Sequence, residues 1–192
     1  MDRGRLEAFS DAVIAIVMTL MVLDLRPPSH PFEWSALSPL VPVFLGYLLS
    51  YVYLGIYWNN HHHLLKAGTG MSAGIMWSNL ALLFGLTLFP FATAWYSGSD
   101  LARAPTILYG VVLLYAALAY YVLQGRIVAR AGGPASEVAR ALGRDWKGRL
   151  SPLLYLVAIG LAFVDTRLSS VLYVVVALLW LVPDRRLAPR SV

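Results

Sequence analysis

Residues 5–25 read RLEAFSDAVIAIVMTLMVLDL. From Ala8 to Leu25 the run is apolar apart from Ser10, Asp11, Thr19 and Asp24, and it follows Arg3 and Arg5 as a signal-peptide core would. It is too long and too polar for that role, and no small-residue cleavage site follows it. Arg26, Pro27, Pro28 and Pro31 stop it instead. Because about 20 apolar residues cross the hydrocarbon core of a bilayer, residues 5–25 are read as a retained first membrane span.

The remainder agrees with a membrane chain. Of 192 residues, 59% are hydrophobic and 13% charged, with a mean hydropathy of +0.67, whereas a soluble domain carries about 25% charged residues. Six helical spans are expected, at residues 5–25, 40–58, 71–95, 105–123, 150–164 and 168–182. They form one all-α domain over residues 1–192, with no internal repeat and no room for a sizeable soluble domain. The second span carries an aromatic band (Tyr47, Tyr51, Tyr53, Tyr57, Trp58) and is expected to close at the polar cluster Asn59 to His63. The third holds Asn79 and Pro90, and the last two make a hairpin of short helices across Asp165, Thr166 and Arg167. Residues 124–149 read as a basic surface linker with one amphipathic helix from Ser136 to Trp146.

Charge orients the spans. The net charge is +5, from 15 Lys and Arg against 10 Asp and Glu. In so apolar a chain this excess belongs at the cytoplasmic membrane face, against membrane lipids, and not on nucleic acid. With both termini cytoplasmic, only Arg26, Arg103 and Arg167 fall in outer loops. The other twelve (15 minus 3) are cytoplasmic: Arg3, Arg5, Lys66, Arg126, Arg130, Arg140, Arg144, Lys147, Arg149, Arg185, Arg186 and Arg190. With zero cysteines there are no disulfides, thiolate metal centres or cysteine nucleophiles.

Candidate chemistry gathers on the first span. Asp11 lies about 9 Å inside Arg5 at 1.5 Å per helical residue, and an ionisable group at that depth is a functional candidate by default. Glu7, at i−4, repels it, so its partners are sought on other helices, where Asn59, Asn60, His61, His62, His63 and Asn79 lie at comparable depth. The resulting polar knot either serves function or only fixes helix packing. Farther along, Ile16, Thr19, Leu20 and Leu23 form a stripe at i, i+3, i+4 and i+7. Ile16 is about 16 Å from Arg5, near the middle of a core about 30 Å thick. Such a stripe faces lipid, packs on a neighbour or lines a pore. Asp24, near the outer end, is either a solvated helix end or one member of a carboxylate ring that concentrates cations.

The run His61 to His63 resembles a metal site, but adjacent helical side chains point about 100° apart and cannot all reach one ion. There is no phosphate-cradling Gly-rich loop, H-E-x-x-H, G-x-S-x-G or pair of carboxylates placed for acid/base work. An enzyme, a metal centre and a cofactor are therefore not expected. The potassium-filter sequence T-V-G-Y-G is absent as well.

The segment Arg5 to Asp11 carries R-x-x-x-F-S-D and resembles the signature of the transmembrane protein 175 family, the lysosomal potassium channels and their prokaryotic relatives. Trp58 to His63, Asn79 to Leu83, Leu88 to Phe91 and the closing hairpin are similar to the family pattern too. The resemblance implies a potassium-permeable channel, assembled in single-repeat prokaryotic members as a homotetramer with first helices around the pore. It implies an apolar constriction beginning five residues after the signature aspartate, here Ile16, with Leu20 and Leu23 on the following turns and Thr19 as the hydroxyl position beside it. Arg5, Phe9, Ser10 and Asp11, with Trp58, His62 and Asn79, are implied to hold the pore helix against its neighbours. Potassium is then the permeant ion, and strong selectivity is not implied for prokaryotic members. Two other readings remain open at this point: a proton- or ion-coupled secondary transporter with Asp11 as relay, and a membrane scaffold in which Asp11 only packs.

Overall fold

The computed structural model describes residues 2–30, 33–143 and 145–181. Pro31, Arg144, Val182, Arg185, Arg186 and Arg190, which enter the expected boundaries and charge count, lie outside the described residues. Eight helices are seen among those described. α1 (Arg3–Leu20) tightens into a 3-10 turn at Met21–Asp24 before the prolines. A second 3-10 turn, Trp34–Leu40, leads into α2 (Val41–Ala67), whose first turn holds Pro42. α3 (Ala73–Thr87) and α4 (Phe89–Ser97) are two parts of one apolar run. α5 (Arg103–Arg130), α6 (Glu137–Leu142), α7 (Trp146–Leu161) and α8 (Thr166–Leu181) complete the chain.

Local chemistry explains the breaks. Ser72, Ser136 and Asp145 are N-caps whose side chains accept from the Ile75, Ala139 and Gly148 amides at 3.3, 3.1 and 2.9 Å, satisfying N–H groups that a helix start leaves unpaired. Pro90, in the first turn of α4, lacks the N–H that would continue α3, so the α-helical run is interrupted at Leu88. α5 ends where Gly132 takes φ +107°, a left-handed conformation open to glycine.

Four stretches are long and apolar enough to cross a membrane: Arg3–Asp24, Trp34–Ala67, Ala73–Ser97 and Arg103–Arg130. α8 is a shorter apolar helix. The chain is an all-α membrane protein.

Packing sets α1 antiparallel to α2 and α3 antiparallel to α5. Arg3 Nη1 donates to the Lys66 and Gly68 carbonyls at the end of α2, both at 3.1 Å, and Gly74 at the start of α3 lies against the Arg126 guanidinium near the end of α5. The basic ends of α1, α2 and α5 therefore meet the start of α3. α1 packs on α2 and α3 with a further contact to α4, α5 packs between α3 and α7, and α8 packs on α7 and α2. Behind α1, buried hydroxyls cross-link the scaffold. Thr93 donates to Ser50 at 2.7 Å, Ser50 and Tyr109 share a 2.8 Å hydrogen bond, and Tyr53 and Tyr173 donate to the Tyr173 and Thr106 carbonyls at 2.6 and 3.0 Å.

Several expected boundaries move. The second helix does not close at Asn59 to His63 but runs through the cluster to Ala67. Tyr53 and Tyr57 leave the aromatic band for the core. The helix of the fourth span, α5, reaches Arg130 and α7 begins at Trp146, so only the middle of the linker is a linker. The amphipathic helix shrinks to Glu137–Leu142 because Gly143 turns left-handed at φ +58° and Asp145 starts the next helix. Asp165 ends the final turn rather than opening it, accepting from the Arg167 amide at 2.8 Å. α2 and α5 outrun their expected ends because helices continue through polar residues at a membrane face.

Among the described glycines Gly110 is the most crowded: a Cβ there would overlap the Tyr173 hydroxyl and come within 2.8 Å of Ile159. Gly125, on the same helix, has nothing within 4 Å of that position. Gly110→Ala is expected to destabilise the fold by about 1–3 kcal/mol through overpacking, while Gly125→Ala is neutral or stabilising by up to about 1 kcal/mol. Thermal unfolding of both variants in detergent checks the contrast.

Candidate functional site

α1 has two distinct faces. Leu6, Ser10, Ile14, Val17 and Met21 are buried against the bundle. About 120° round the helix, Ile16, Leu20 and Leu23 are 57%, 49% and 68% exposed, and Thr19 is exposed with them. The change to a 3-10 turn after Leu20 preserves the stripe, because residues three apart eclipse one another in that geometry, stacking Leu23 on Leu20. Arg5 and Phe9, eleven and seven residues before Ile16, lie on the same exposed face. Asp24, at the end of the 3-10 turn, is exposed too.

The buried face is locked by polar groups. The Ser10 hydroxyl donates to the Leu6 carbonyl at 2.8 Å and accepts from Asn79 Nδ2 at 2.9 Å. The Asn79 carbonyl oxygen lies 2.6 Å from His61 Nε2, so His61 carries a proton on Nε2, since that oxygen can only accept. All three side chains have no solvent exposure, and they join α1, α3 and α2.

A second set lies at the α1–α2 margin. Trp58 Nε1 donates to Asp11 Oδ1 at 3.0 Å, and His62 Nδ1 is 2.7 Å from Glu7 Oε1. Asn60 instead donates to the Ile56 carbonyl of its own helix at 2.8 Å.

The polar contacts of α1 fall in two groups. Ser10 and Asn79 meet in the interior, while Asp11, Trp58 and His62 meet at the margin. Arg5 and Phe9 do not join either part. His61, not His62, completes the interior link. The signal for it was the α2 stripe Ser50, Tyr53, Leu54, Tyr57, His61, Leu64, whose helical spacing continues past Trp58. Arg3, which holds the end of α2, carried no comparable signal. The Thr19 hydroxyl donates to the Ile16 carbonyl at 2.9 Å. Its proton is thus committed to its own helix, and it offers only oxygen lone pairs outward.

Comparison with known proteins matches this architecture. The family described as the endosomal/lysosomal potassium channel TMEM175 matches residues 5–90. A potassium channel of Chryseobacterium sp. (strain P1-3) is 42% identical over 187 residues, covering 97% of this chain and 96% of that protein. The human endosomal/lysosomal proton channel TMEM175 is 36% identical over 120 residues, 55% of this chain and 23% of the human one. The crystal structure of a lysosomal potassium-selective channel TMEM175 homolog from Chamaesiphon minutus superposes with a TM-score of 0.80 at 31% identity, over 93% of this chain and 96% of that one. A near-full-length relative, a shared fold and the R-x-x-x-F-S-D segment on the first helix agree: the chain belongs to the TMEM175 family of potassium channels.

Proposed function

We propose that α1 supplies the ion path of this potassium channel, with four copies of the chain arranged around a central axis. The observation that carries this is the division of α1 into a face locked to the bundle and an apolar face that its own chain leaves uncovered. In a closed ring, Ile16, Leu20 and Leu23 form a hydrophobic constriction that gates by dewetting. Thr19 oxygens, their protons held by the Ile16 carbonyls, face a cation that is losing part of its water. Potassium sheds hydration more readily than sodium, so such a ring gives a modest preference without a carbonyl cage. Asp24 stands at the outer mouth. Arg5 and Phe9 lie on the uncovered face, at the cytoplasmic end of the path. Ser10, Asn79 and His61, with Asp11, Trp58, Glu7 and His62, hold the helix in this orientation.

On this reading the chain is one domain with six crossings, α7 and α8 making the last two, in the cell membrane with both termini cytoplasmic. The meeting of Arg3, Lys66, Arg126 and Arg130 at one end of the bundle supports that orientation. Near-full-length relatives that are channels favour a channel over the carrier alternative built on Asp11.

Native mass spectrometry of the purified protein in detergent is expected to show mainly a four-chain species. A population of monomers and dimers argues against the ring.

Ile16→Asn is expected to wet the constriction, raise potassium conductance severalfold and lower discrimination against sodium, because a wider polar ring passes ions with more of their water. Thr19→Val, nearly isosteric, should leave conductance close to that of the parent and weaken potassium preference. A lipid-facing Ile16 gives a different outcome: asparagine in hydrocarbon lowers expression without altering surviving channels. Single-channel recording in planar bilayers reads both variants, and unchanged unitary conductance and reversal potential in both removes the stripe from the ion path.

A further inference from the structure

Glu7, Asp11 and His62 each place one potential ligand atom so that all three lie within 4.8 Å of one another. Two come from one face of α1, a helical turn apart, and the third from α2. Carboxylates at i and i+4 repel each other, and among the described residues this pair shares one imidazole and one indole N–H. The Glu7 and His62 side chains are 22% and 38% exposed, so a hydrated ion can reach them. Asp11 Oδ1 is fixed by Trp58 Nε1 at 3.0 Å, which leaves Oδ2 available and orients the carboxylate as outer-shell donors orient metal ligands. His61, one residue before His62 and wholly buried, has an Nδ1 with no hydrogen-bond partner among the described residues.

We infer that Glu7, Asp11 and His62 form a site for a divalent transition-metal ion of the zinc class, bridging α1 and α2. The donor set selects the ion: an imidazole nitrogen with two carboxylate oxygens suits Zn2+, whereas Mg2+ and Ca2+ prefer oxygen ligands alone. At metal–ligand distances of about 2.0–2.2 Å, tetrahedral ligand atoms stand about 3.3 Å apart, a spacing that small rotations of the three side chains produce. The ion takes the place of the proton shared by Glu7 and His62 at Nδ1, a neutral imidazole passing that proton to its own Nε2 and an imidazolium releasing it to solvent, and water fills the fourth position. The other two histidines of the run are not ligands, since neighbouring side chains diverge by about 100°. The site stands on the α1–α2 contact and does not depend on α1 lining the ion path.

Calorimetric titration of ZnCl2 into the full-length protein, purified in detergent with its affinity tag removed, is expected to show one saturable ion per chain and a higher unfolding temperature when loaded. Millimolar Mg2+ should not displace it. Glu7→Gln, which keeps a hydrogen bond to His62, and His62→Ala should each weaken binding at least about tenfold, as even outer-shell losses cost about 10–100-fold. His63→Ala should leave binding unchanged. Cobalt in place of zinc should give visible d–d absorption that is lost in Glu7→Gln, which reports the ligand set directly if His62→Ala unfolds. Absence of saturable binding, binding unweakened in both variants, or equal loss in His63→Ala overturns the assignment.

Discussion

The hydrogen-bonded line from Ser10 through Asn79 to His61 constrains the rest of the molecule. Each member is fully buried, and each comes from a different helix. Interhelical hydrogen bonds in membranes are worth only about 0.6 kcal/mol on average, so the line adds little to stability. Its effect is on orientation. Turning α1 by one residue would swing Ser10 about 100° away and leave buried polar atoms unpaired at about 1–3 kcal/mol each. That penalty exceeds the gain from the bonds themselves. The network therefore selects one azimuth for α1 and, with it, which residues the helix leaves uncovered.

The uncovered face follows from that choice. Ile16, Leu20 and Leu23 are exposed because Leu6, Ile14, Val17 and Met21 occupy the bundle side. The 3-10 turn after Leu20 keeps Leu23 in line. Thr19, fastened to the Ile16 carbonyl, presents a weak acceptor and no donor. From Ile16 to Leu23 this part of the helix carries no charged side chain. Family membership places the chain among channels rather than enzymes.

The margin of α1 is chemically different from both faces. Glu7 and Asp11 are carboxylates in an apolar protein, held by Trp58 and His62 from α2. The basic end of the bundle lies close by, where Arg3 closes the end of α2. The α1–α2 contact is thus tied in three ways: by backbone carbonyls to Arg3, by the paired side chains at the margin, and by the interior line through Asn79. Behind it the hydroxyls of Ser50, Thr93, Tyr53, Tyr109 and Tyr173 cross-link the supporting helices.

Composition and period were enough to determine an all-α membrane protein, because crossing a bilayer demands long apolar runs and leaves that demand visible in any chain. The first helix and the polar residues Ser10, Asp11 and Asn79 were legible for a related reason: a polar group in such a run is costly and stands out, whereas Trp58 came only from the family resemblance. Helix ends were less legible. His61 and Gln124 lie in turns that continue the membrane helices, and only the neighbouring helices supply the packing that keeps those turns helical. The tertiary structure also decided that His61 rather than His62 meets Asn79, and that Arg5 and Phe9 face outward. Adjacent histidines are chemically identical, and the direction in which each points is set by the rotation of α2 against its neighbours, which no local sequence pattern encodes.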